Sequence, residues 1–285
     1  MDCNELFWNR VGHVEIENSQ GGMMSFSGLD FKFRIQKIGH IYTEFDVGIL
    51  GLSRETINEL TVLGPEQARR LNRQVRVFAG YGDRESEIAR GCIWYAKPTV
   101  PPEMWMNFKC MKFLDFKDPV QNVDPVESGK RIEDVFKRIG QILGLTPDWR
   151  ATSVDKTKKI TADYCFNGKK RLMIPELFAQ DFGVVVYEDD GLIIAQDNPN
   201  VQMPPEHGNH QLDMEHGLLG LGNIDIFGGE ATARLNDSYK LFDYVNLTSV
   251  LIPKASGKYL LTEKTLVGHF RGEEWFSKYR LLRKP

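Results

Sequence analysis

The feature that most constrains this chain lies between Ile41 and Gly91. An alternating run, Ile41-Tyr42-Thr43-Glu44-Phe45-Asp46-Val47-Gly48-Ile49, is followed by Leu52-Ser53-Arg54-Glu55-Thr56. A second run, Val75-Arg76-Val77-Phe78-Ala79, is closed by Gly80-Tyr81-Gly82. Successive side chains of a strand point to opposite faces, so Ile41, Thr43, Phe45, Val47 and Ile49 share one face. Ser53 is placed to cap a short helix, with Glu55 in its first turn. Gly80 and Gly82 are expected to supply the backbone angles of a tight turn. The unit reads as strand, short helix, strand, and it holds no nucleophile, metal cluster or phosphate cradle.

The surroundings are also β-rich. Val14 and Ile16 alternate with Glu15 and Glu17, and Phe31, Phe33 and Ile35 with Lys32, Arg34 and Gln36. Ile88–Tyr95 and Met104–Cys110 add two strands, separated by Pro98, Pro101 and Pro102. Strands at this spacing predict a barrel or sandwich over residues 11–117. Asp118–Gly129 reads as a linker. A helix is expected from near Lys130, with Ile132, Val135, Phe136, Ile139, Ile142 and Leu143 on one stripe, Ser128 as candidate cap and Gly144 as stop. A second helix, with Pro175 in its first turn, ends at Gly183. Asp190-Gly191 between two apolar runs predicts a hairpin, and Glu188, Asp189 and Asp190 read as its solvated tip. Asn198–Leu212 reads as an exposed connector. Strands are expected at Ala231–Leu235, Tyr244–Ile252, Tyr259–Val267 and Trp275–Leu282, the last with Trp275, Ser277, Tyr279 and Leu281 on one face.

Three regions, in order, carry a resemblance to a known family. Leu52, Ser53, Glu55, Thr56, Ala79, Gly80, Tyr81, Gly91 and Ile93 match a strand, short helix, "A-G-Y" strand and "G-x-I" return strand. Residues 168–196 match a helix ending in glycine followed by a "D-D-G" hairpin. Gly257, Tyr259, His269, Gly272 and Trp275 match a closing strand pair. This pattern resembles the baseplate hub proteins of contractile phage tails, the late control protein D family and the amino-terminal part of the type VI secretion spike. Three features depart from it: Gly51 stands where the family often has Asn, Asp237 where it often has Pro, and the Gly before the next strand is missing.

Composition narrows the chemistry. A hydrophobic fraction of 41% with 26% charged residues fits a globular chain. No run approaches the roughly 20 apolar residues of a membrane span, so no membrane insertion by this chain is expected. The opening Met1-Asp2-Cys3-Asn4-Glu5 lacks the basic start and apolar core of a signal peptide, which implies synthesis in the cytoplasm. Cys3, Cys92, Cys110 and Cys165 are scattered, so neither zinc site nor disulfide framework is signalled; Cys92 and Cys110 read as small buried residues. A net charge of −3 argues against a protein whose task is to grip nucleic acid. His207, His210 and His216 lie near Asp213 and Glu215, but the first two sit in a Pro- and Gly-rich stretch; the reading is a solvated loop, with a metal site as the alternative. His269 reads as a barrel-edge or core residue, and Phe7, Trp8, Trp275, Phe276 and Tyr279 as packing or subunit-interface aromatics, with base or sugar stacking as the alternative. No catalytic, cofactor-binding or metal-binding residue is assigned, and no cofactor is expected.

The expected fold is mainly β with an α+β insertion: two small tail-tube-like β-barrels at residues 1–117 and 208–285, and a small α/β domain with a hairpin at 118–207. The resemblance implies a non-enzymatic structural hub in the virion tail baseplate, made in the host cytoplasm. It implies a homotrimer that joins a sixfold tail tube protein to a threefold central spike protein, meets the tape-measure protein, and surrounds DNA without specific binding. Two other classes stay open at this point, a tail-associated peptidoglycan hydrolase and a monomeric carbohydrate- or receptor-binding module.

Overall fold

The computed structural model describes residues 9–39, 44–113, 118–206, 208–225 and 227–284. Ile41, Tyr42, Thr43, Phe7, Trp8, Cys3 and His207 lie outside the described residues. The chain packs as two compact units, one formed by residues 1–37, 43–114 and 208–285, the other by 38–42 and 115–207.

The first unit opens with β1 (Arg10–Glu17), β2 (Met23–Ser27), β3 (Phe31–Ile38) and β4 (Glu44–Leu50). Two short helices follow, α1 (Arg54–Leu60) and α2 (Pro65–Leu71), then β5 (Gln74–Tyr81), β6 (Arg84–Pro98) and β7 (Trp105–Met111). Phe45, Val47 and Ile49 are buried, while Glu44 and Asp46 face out, as the alternation requires. The Ser53 hydroxyl accepts a hydrogen bond from the Thr56 amide at 3.1 Å, so the expected cap is formed.

The role of Gly80 differs from the expectation. Only Gly82 takes a positive φ, +61°. Gly80 stays in β5, where an added Cβ would lie 1.8 Å from the Arg84 carbonyl oxygen. The glycine is required by close strand approach, not by turn geometry.

The second unit contains α3 (Ile132–Leu143), β8 (Thr146–Trp149), α4 (Met173–Phe182), β9 (Val184–Asp189) and β10 (Leu192–Asp197). Its sheet has the order β8-β10-β9, with β8 parallel to β10. Ile132, Val135, Phe136, Ile139 and Leu143 form the buried stripe of α3, and Gly144 ends it at φ +67°. Phe136, Trp149 and Phe178 meet edge to face or tilted, with centroids 5.4–6.3 Å apart. The helix start is Arg131, not Ser128: the Arg131 amide donates to the Asp134 carboxylate at 3.0 Å. Gly129, at φ +85°, turns the chain before the helix begins, and Ser128 donates its amide to Asp163 instead. The hairpin forms as predicted, with positive φ at Asp190 and Gly191. Its acidic tip is only partly solvated, since Glu188 is buried and accepts the Gly191 amide at 2.8 Å.

The carboxy-terminal stretch returns to the first unit as β11 (Asn209–Leu212), β12 (Leu218–Ile224), β13 (Gly228–Arg234), β14 (Tyr244–Leu247), β15 (Gly257–His269) and β16 (Trp275–Arg283). The residues read as an exposed connector therefore end in a strand: β11 runs parallel to β14 and buries Leu212 completely. The expected strand Tyr244–Ile252 stops at Leu247. The Ser249 hydroxyl accepts the Ile252 amide and the Ser256 hydroxyl accepts the Ser249 amide, which closes a loop and leaves Val250 and Leu251 exposed.

All thirteen strands of the unit join one sheet in the order β12-β13-β16-β15-β3-β4-β7-β6-β5-β1-β2, with β14 against β15 and β11 against β14. The fold is mainly β, and among the described residues no barrel closes, because β2 and β12 each have one paired side. Among the described residues, two apolar clusters fill it. One gathers Phe31, Phe45, Val47, Val77 and Phe108; the other gathers Val245, Tyr259, Leu261, Tyr279 and Leu281.

Candidate functional site

The two β-rich lobes, β1–β7 and β11–β16, are held together at one seam. β3 and β15 are neighbours in the sheet. Trp275 is buried there, with its ring centroid 5.5 Å from Phe33, 6.2 Å from Phe31 and 6.1 Å from Phe270. This is packing, as read from the sequence. Gly268 lies against the Phe33 ring, where an added Cβ would approach to 2.3 Å.

Polar groups register the same seam. Phe270 donates its amide to the Phe31 carbonyl at 2.8 Å. His269 donates through Nε2 to Asp30 at 3.1 Å, while the other Asp30 oxygen accepts the Arg271 amide at 3.1 Å. Arg10 donates to the carbonyls of His269 and Gly272. Gly272 must be glycine, since an added Cβ would lie 2.1 Å from Nδ1 of His269. The spacing of His269 and Gly272 thus has a physical cause, a ring seated over a glycine before the strand returns.

Asp237 ties both lobes together at the junction. Its carboxylate accepts Lys37 Nζ from β3 at 2.8 Å and Lys264 Nζ from β15 at 2.6 Å. Lys264 is 2% exposed, and its ammonium also donates to the carbonyls of Asp237 and Tyr239. A buried ammonium is tolerated only when charge and hydrogen bonds compensate its lost hydration. A second departure also has a backbone reason: Gly51 has φ +85°, a region Asn also visits.

Reactive constellations are sparse. His210 pairs with Asp243 at 2.8 Å and stacks on Tyr239, whereas His216 pairs with Asp213 at 2.7 Å. Each has its own carboxylate, and among the described residues no three metal-ligating side chains converge. Burial, with Asp46 and Cys92 adding to it, pushes the Cys110 thiol well above its usual range. Cys110 is fully buried as expected, while Cys92 is half-buried. Among the described residues no helix is long and apolar enough to cross a membrane. Arg10, Asp30, Lys37 and Lys264 carried no signal in the sequence, because isolated polar residues in strands look like solvent-facing ones.

The family model for baseplate hub gp41 matches residues 13–267. Solved structures share the fold at very low identity. A tail protein from Neisseria meningitidis MC58 has a TM-score of 0.63 at 9% identity, over 96% of this chain and 97% of that one. The 43 kDa tail protein of prophage MuSo2 from Shewanella oneidensis has 0.64 at 8%, over 95% and 98%. The E. coli c3393 protein has 0.61 at 10%, over 95% and 77%; it is described as a component of the type VI secretion system with structural similarity to T4 bacteriophage tail proteins gp27 and gp5. No curated protein matches in sequence. Structural likeness at such identity speaks to fold alone, but the family match spans most of the sequence. The chain belongs to the baseplate hub gp41 family, a structural component of the phage tail.

Proposed function

We propose that this protein is a non-enzymatic baseplate hub that assembles as a homotrimer and joins a sixfold tail tube to a threefold central spike. The observation that carries the reading is the family match over residues 13–267, on a sheet that runs unbroken through both lobes. Each lobe, residues near 1–117 and 208–285, acts as one tube-like barrel wall, and 118–207 is a separate α/β domain. Three copies then present six lobes to the tube. A strand edge left open in one copy has unpaired backbone groups that a neighbour can complete. β2 and β12 are such edges. The assembly surrounds the DNA path in the virion, contacts tube, spike and tape-measure proteins, and requires neither cofactor nor metal.

Light scattering of the purified chain, alone and with its spike partner, tests the reading. The expected result is a mass three times that of the 32.6 kDa chain. A mass fixed at one chain in both samples, or turnover of peptidoglycan abolished by a single side-chain replacement, would overturn it.

A further inference from the structure

The outward face of β3, β4, β7 and β6 carries a groove of about 440 Å³ that the assembly reading does not use. Lys32, Gly48, Asn107 and Lys97 form one row across the four strands, and Arg34, Asp46, Lys109 and Tyr95 the next. Strands lie about 4.8 Å apart, so Lys32 and Lys97 stand roughly 14 Å apart at the backbone, and the two rows are about 7 Å apart. Gly48 keeps the floor low: an added Cβ would lie 2.9 Å from Lys32 Cε and 3.0 Å from Asn107 Oδ1. Lys32 Nζ rests 4.3 Å from the Trp105 ring centroid and Lys97 Nζ 5.7 Å from that of Tyr95. Among the described residues, none of Lys32, Arg34, Lys97 and Lys109 is in an ion pair, although the chain as a whole carries −3.

We infer that this groove docks an acidic, extended segment of a partner protein. An extended peptide places every second side chain about 7 Å apart, which matches the row spacing. Its carboxylates meet the four cations, and its backbone N–H groups meet Asp46. A nucleic-acid backbone fits less well, because it requires a continuous track of cations. Here Asp46 sits in the centre and Glu274 lines the groove.

The test uses the full chain and a fluorescein-labelled decapeptide of alternating Glu and Ser, read by fluorescence anisotropy. Salt is raised from about 0.02 M to about 0.3 M, which shortens the Debye length from about 20 Å to about 6 Å. Saturable binding is expected at the lower salt and its loss at the higher. Lys97→Glu with Lys109→Glu should weaken binding about tenfold or more, while Lys254→Glu, on an exposed turn elsewhere, leaves it unchanged. Gly48→Ala fills the floor without reversing charge, so it decides the matter if the double variant misfolds; it too should weaken binding. Absence of saturable binding, full binding by Gly48→Ala, an equal loss with Lys254→Glu, or tighter binding of a duplex oligonucleotide to the same face would each overturn the inference.

Discussion

Asp237 shows how one side chain can hold a joint. It neutralises Lys264, which is almost wholly buried, and reaches Lys37 on the facing lobe. Asp237→Asn removes the carboxylate charge that the buried Lys264 ammonium donates to. Removing one partner of a buried pair costs about 3 kcal/mol or more, and urea denaturation of the variant should show a loss of that order. Asp197, in the second unit, makes a pH-dependent contribution. Burial alone pushes its carboxyl up, but hydrogen bonds from the hydroxyl and amide of Ser153 and of Thr152, at 2.6–3.1 Å, outweigh this and hold it below its ordinary value. A carboxyl depressed in the folded state adds stability that is present above its unfolded value, about 3.9, and is lost as the pH falls through the folded value. Asp197→Asn should lower stability at neutral pH by about 1–3 kcal/mol and flatten the acid limb below pH ~4, as read from urea denaturation at a series of pH values.

At the scale of elements, legibility followed the range of the causes. The β9–β10 hairpin was readable because Asp190-Gly191 provides the positive φ angles within the turn itself. The stripe of α3 was readable because an amphipathic helix writes its buried face at helical spacing. β8 escaped notice because a four-residue strand containing Pro147 has no periodicity to detect, and its partner β10 lies far along the chain. β14 reads longer in the sequence than it is, because Val250, Leu251 and Ile252 are apolar, whereas the serines that turn the chain away act through hydroxyl geometry. The β3–β15 junction is the element-scale feature that the seam depends on. Gly268→Val drives a side chain into the Phe33 ring, and overpacking of this kind costs about 1–3 kcal/mol. Thermal denaturation should show a lower midpoint, with greater hydrogen exchange at the β3–β15 pair than at β9–β10.

For the whole molecule, the open ends of the sheet lead to a further prediction. Leu219, on the edge strand β12, is 47% exposed. Leu219→Lys should leave the single chain within about 0.5 kcal/mol of its stability, as surface changes usually do, yet block strand addition. If the proposed trimer forms through this edge, light scattering should report a folded chain that stays monomeric where the unaltered chain trimerises; a variant that still trimerises would place the contact elsewhere. By itself the sequence determined the strands with a clear alternation, the two main helices, the Asp190-Gly191 hairpin and the family, because each is written in neighbouring residues. Only the tertiary structure decided that the lobes share one open sheet, that Asp237 neutralises Lys264, and that Lys32, Arg34, Lys97 and Lys109 gather round Gly48 with no ion pair among the described residues. Those facts depend on residues far apart in the chain: Phe31 and Phe270, bonded across the β3–β15 seam, are 239 positions apart. Contacts at that distance are set by how strands pair, which local sequence patterns leave undetermined.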